Sequence, residues 1–172
     1  MAYNPVISQN PNLPILEYIN KLVSDQTLLI QPTISYADFY ALMPTDNASA
    51  INAGADVAFP RAGSSSASDI TSLTATTFQL GPIGTYRVDV HVTIVAGGQV
   101  VLTLNNVPVA STALGGIDLS GNNLSGSYII NTTTVNSVVT VRNPTGNASI
   151  TLAAGYGGSL PISAHLTISR MK

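Results

Sequence analysis

The chain has 172 residues, of which 8% are charged and 45% hydrophobic, with a formal net charge of −2 and no cysteine. An ordinary soluble domain carries roughly 25% charged residues; this chain is too apolar to be disordered and has no electrostatic attraction to offer nucleic acid or anionic lipid. The lack of cysteine excludes disulfides, thiol catalysis and cysteine metal sites.

Residues 1–12 hold two prolines among Asn, Gln and Ser. They read as an extended arm, either a loose terminus or an attachment segment. The start, Met1-Ala-Tyr-Asn-Pro5, has neither the basic beginning nor the apolar middle of a signal peptide. The expectation is therefore delivery by assembly and not by the general secretory route. No apolar run approaches the roughly 18 residues that span a membrane.

From Leu13 to Ile30 the period becomes helical. Asn12 can cap, Pro14 suits a first turn, and Pro32 stops the run. Leu16, Ile19, Val23 and Ile30 form an apolar stripe, with Glu17 and Lys21 paired four residues apart. One such helix cannot bury its stripe alone. It packs on copies of itself, on its own domain or on a membrane surface, and a polar face without basic residues disfavours the last. The domain division expected is 1–34 for arm and helix, serving attachment or trimerisation, and 35–172 for the body.

The body alternates with period two. Ser35–Met43 reads as a strand, and Asp56–Pro60 as a short edge strand blunted by its proline. Thr45–Ala55 and Ala62–Asp69 read as loops, and Thr74–Leu80 alternates again. Tyr86–Val95 is the clearest strand. Tyr86, Val88, Val90, Val92 and Ile94 share one face, and Arg87, Asp89, His91 and Thr93 share the other. Gly97-Gly98 reads as a turn that returns Gln99–Leu104 antiparallel, Asn105–Pro108 turns again, and Val109–Leu114 follows. Gly115–Gly121 reads as loop. Leu124–Asn131, Ser137–Asn143, Ala148–Ala153 and Ile162–Arg170 complete the strands. Short strands at this spacing mean an all-β sandwich or barrel.

Five stretches carry a resemblance. They are Phe39-Tyr-Ala-Leu42, Phe78-Gln-Leu-Gly-Pro-Ile-Gly-Thr-Tyr86, Gly98-Gln-Val-Val-Leu-Thr-Leu-Asn-Asn106, Thr133-Thr-Val-Asn-Ser-Val-Val-Thr-Val-Arg-Asn-Pro144 and Ser163-Ala-His-Leu-Thr-Ile168. In this order they resemble the C-terminal domain of the collagen-like exosporium glycoproteins of bacterial spores, over the body of the chain. The resemblance implies a C1q/TNF-like jelly-roll β-sandwich of about ten antiparallel strands that forms a homotrimer on a particle surface. The Gly-X-Y stalk usual in that family is missing, so the particle could be a spore or a virion.

Arg87, Asp89, His91, Arg142 and His165 are the expected subunit-interface residues, on one sheet built from Tyr86–Val95, Ser137–Asn143 and Ile162–Arg170. The strands of His91 and His165 are expected to be neighbours, with both rings facing another subunit. With Asp89 they make a poor metal set, and the glycines have no phosphate-binding spacing. No cofactor is expected, and catalysis is not. The expected partners are the chain itself as a homotrimer and coat or capsid proteins through residues 1–30. A host receptor or glycan bound by the loops is the alternative.

Overall fold

In the computed structural model, residues 14–21, 34–66, 69–117, 121–153, 159 and 161–172 are described. The chain divides into two units, Met1–Thr33 and Ile34–Lys172. In the first, 14–21 is helical, and Leu16 and Ile19 are exposed on it together with Ile15 and Tyr18. Val23 and Ile30 fall outside the described residues.

The second unit is a two-layer β-sandwich. One sheet holds β1 (Tyr36–Leu42), β2 (Arg61–Ser65), β5 (Thr85–Ile94), β9 (Asn122–Asn131) and β11 (Ile162–Arg170), in the spatial order β2-β1-β11-β5-β9. The other holds β3 (Ile70–Ser72), β4 (Phe78–Leu80), β10 (Ser137–Arg142), β6 (Gly98–Leu104) and β7 (Val107–Pro108) in that spatial order, with β8 (Leu114–Gly116) also on β6. Every named strand pairing is antiparallel.

Alternation in β5 does what period two requires. Tyr86, Val88, Val90, Val92 and Ile94 are buried, while the residues between them reach the opposite face. Leu166 and Ile168 of β11, Phe39 of β1, and Phe78, Leu80 and Leu102 of the second sheet fill the space between the layers. Phe78 joins the sheets, its ring centroid 4.5 Å from Phe39 and 5.9 Å from Phe59. Tyr86 is fully buried, and its hydroxyl donates to the Pro82 carbonyl at 2.6 Å.

Several expectations are corrected. Gly97-Gly98 does not close a hairpin but carries the chain from one sheet to the other, because β9 and β11 already occupy both edges of β5. The hairpin turn lies at Asn105-Asn106, both with positive φ (50° and 68°), and β7 begins where a turn was expected. Residues 110–112 form a 3₁₀ turn instead of strand, and β8 lies partly where loop was expected.

Ala62–Asp69 is not simply loop, since β2 pairs with β1 there. All five β2 residues are exposed, so no hydrophobic alternation marks them. A side chain at Gly63 would collide with the Asp38 carboxylate, so the glycine permits the two strands to sit together. Asp56–Pro60 and Ala148–Ala153 shrink to isolated bridges, Asp56 to Arg142, Ile150 to Ile51 and Leu152 to Ile94. The strand expected at Thr74–Leu80 is confined to β4; the Thr74 hydroxyl accepts from the Thr76 and Thr77 amides and turns the chain first.

Candidate subunit interface

The outer face of the β2-β1-β11-β5-β9 sheet is the candidate site. Pairing register arranges it in rows that run across four strands. One row is Tyr40, His165, His91 and Ser125. The next is Asp38, Thr167, Asp89 and Ser127, and the third is Tyr36, Ser169, Arg87 and Ile129. The inward neighbours Ala37, Phe39, Val88, Val90, Leu166 and Ile168 are all buried, and their burial fixes which side chains turn outward.

The charges of this face pair among themselves. Arg87 Nε lies 3.0 Å from Asp89 Oδ2 and donates to Ser127 Oγ at 3.1 Å. His165 Nε2 lies 2.5 Å from Asp38 Oδ1, which also accepts from the Thr167 hydroxyl at 2.9 Å. The Tyr40 ring meets His165 edge-on at 6.4 Å between centroids. His91 Nε2 lies 3.3 Å from Thr93 Oγ1. Burial holds the proton affinity of His91 below the ordinary imidazole value, and the field of His165 lowers it further.

Ser125 and Ser127 are short beside the imidazoles, so the face has a hollow of about 250 Å³. Asp89, His91, Ser125, Ser127, His165 and Thr167 line it. Polar side chains surround this hollow, and apolar ones flank it: Ile129 is 56% and Tyr36 41% exposed. Among the described residues no three His, Asp or Glu side chains gather closely enough to hold a metal ion.

The structure therefore brings together Arg87, Asp89, His91 and His165, with the two histidines in direct register. Arg142 is corrected. β10 lies in the opposite sheet, between β4 and β6, because its Val139 and Val141 are needed in the core on that side. There Arg142 binds Asp56 at 2.7 and 3.1 Å and Asn106 at 2.6 Å. The Thr140 hydroxyl donates to Asp56 at 2.9 Å and accepts from Thr103 at 2.8 Å, closing a network on the far side of the molecule.

Asp38, Tyr40, Ser127 and Ile129 join the face without having been expected there. The signal for the first two is present in the sequence: Ala37, Phe39 and Ala41 alternate inward, which turns Tyr36, Asp38 and Tyr40 outward. The same alternation of Leu124, Tyr128 and Ile130 turns Ser127 and Ile129 outward.

No family model matches the sequence, and no curated protein matches it. Solved structures do match the fold. An Eiger TNF structure from S. frugiperda superposes with a TM-score of 0.59 at 15% identity, over 81% of this chain and 94% of that one. Murine APRIL gives 0.59 at 10% identity, over 80% and 99%. The globular domain of zebrafish complement 1qA gives 0.52 at 11% identity, over 80% and 94%. The body of this chain has the TNF/C1q jelly-roll fold.

Proposed function

We propose that this chain is a non-enzymatic structural protein, a homotrimeric jelly roll displayed on the surface of a spore or virus particle. One observation carries the reading. A chain with six Lys and Arg and eight Asp and Glu places Arg87, Asp89 and Asp38, and both of its histidines, on one sheet face, with exposed Ile129 and Tyr36 in the Arg87 row. The ions are already paired within the face, so further copies could cover it, and bury its apolar side chains, without stranding a charge. A homotrimer is closed, so the contact ends in a finite particle. Residues 1–30 would dock that trimer to other coat or capsid proteins or extend its seam.

Sedimentation of the full chain tests this. The expected species has three times the 17.8 kDa chain mass, and Ile129→Asp converts it to single subunits with its β spectrum intact. A monomeric wild-type chain at micromolar concentration overturns the reading.

A receptor- or carbohydrate-binding module is the second reading. It is favoured by a hollow of about 370 Å³ lined by Gly97, Gln99, Gly115, Gly116 and Asn147, which takes in the start of the stretch that reads as loop from Gly115. No aromatic side chain lines it, unlike most glycan sites. Binding on a glycan array, lost in Gln99→Ala, would decide for this reading.

A further inference from the structure

The outer face distributes its counter-charges unevenly. Asp89 is held by Arg87, and Asp38 is held by His165 and Thr167. His91 stands between these two pairs with no carboxylate of its own among the described residues. From β11 it faces His165 and Thr167; from β9 it faces Ser125 and Ser127, which carry no charge. On its own strand the nearest charged groups are Asp89 and, beyond it, Arg87. From β1, Asp38 reaches this row only through His165.

Given self-association through this face, on which the inference rests, we propose that His91, set beside His165 without an acid partner, makes contact with a second copy of this chain acid-labile.

When His91 is neutral, its Nε2 shares a hydrogen bond with the Thr93 hydroxyl and the ring can be covered by a neighbouring copy. Acid delivers a proton from solvent to the ring nitrogen that lacks one. Both nitrogens are then donors, and a positive charge appears beside His165. Both nearby carboxylates are already engaged, so the charge is uncompensated. In a trimer the same event occurs in three copies packed on one face. In the single folded chain burial already disfavours the charged ring. A second copy laid over the face takes the ring further from water and disfavours the charge again. The separated chain therefore binds the proton more readily than the assembled one, so the contact is at full strength while His91 is neutral in both and is lost as pH falls through the lower value of the assembled state.

The test is sedimentation velocity of the full chain at about pH 5 and about pH 8, at constant salt, with circular dichroism on the same samples. The expected result is a trimer at the higher pH. At the lower pH the trimer is weakened by at least about tenfold in dissociation constant, with the β spectrum kept. In His91→Gln, whatever its affinity at the higher pH, the change in dissociation constant between the two pH values should be lost. A wild-type trimer equally tight at both pH values overturns the inference and leaves the assembly reading standing. Acid dissociation of His91→Gln to the same extent as wild type also overturns it. A wild-type monomer at both pH values overturns the assembly reading itself.

Discussion

His165 stands directly opposite His91 across the pairing of β11 with β5, and Asp38 closes on the first ring and not on the second. Two imidazoles in register, in a chain so poor in charge, are therefore in different electrical surroundings. That difference separates what holds the subunit fold from what would hold copies together.

Arg87→Glu should disrupt assembly far more than folding. The Arg87–Asp89 pair is exposed in the single subunit, and such pairs contribute about 0–1 kcal/mol. The variant puts a second acid beside Asp89, which repels when covered. Sedimentation should show loss of the trimer while the melting temperature of the subunit hardly moves.

Arg142→Met should do the reverse. It strips the Asp56 carboxylate of two hydrogen bonds in a network on the other sheet. Leaving a half-buried carboxylate short of partners costs about 1–3 kcal/mol. Denaturant unfolding should register that loss while the oligomer size stays unchanged.

Tyr86→Phe isolates one hydroxyl. The ring stays packed, and the Pro82 carbonyl loses its short donor, keeping only the Thr132 hydroxyl at 3.5 Å. The expected cost is about 1 kcal/mol, read as a lower denaturation midpoint at an unchanged slope.

Gly84→Ala should destabilise more than its size suggests. A methyl group there would overlap the Lys172 carbonyl, which accepts from the Thr85 amide at 3.1 Å, so making room strains that hydrogen bond. The Gly84 amide also donates to the Thr132 hydroxyl at 2.9 Å. A melt of Gly84→Ala beside Gly115→Ala, whose methyl group would meet only ordinary contacts, checks whether the loss is local to this junction.

A second acid step should appear well below the histidine range. The Arg61 guanidinium holds Asp46 below the usual carboxylate value, with the Leu42 amide donating to the same carboxylate. Its stabilisation is present above about 3.8 and disappears as pH falls through the lower folded value. Asp46→Asn should remove that step from the acid-unfolding curve and leave the pH dependence of oligomer size unchanged.

How much of this can be read from sequence differs by element. β5 and β11 are plain because one face of each is buried and the other is not, so hydrophobicity follows the pleat. Their adjacency, and so the histidine pair, follows from the jelly-roll resemblance. β2 leaves no trace because none of its residues is buried; only its partner β1 makes it a strand. β10 is misplaced by sequence for a different reason. Both sheets have an inner apolar face, so the pattern Val139, Thr140, Val141 and Arg142 fits either one, and only the competition for strand edges decides. Asp38 escapes notice because a lone acid in an aromatic strand gives no hint that its partner lies 127 residues away.

β11 sits between β1 and β5, so the surface bearing His91 and His165 has its centre filled by residues 162–170. A ribosome making this chain releases β1 and β5 long before the strand that must slot between them. Until that strand arrives, nascent chains lack the row on which copies would recognise one another. Association through this face would thereby be deferred until residues 162–170 are made, and a chain cut short before residue 162 would have no finished face to offer its full-length siblings.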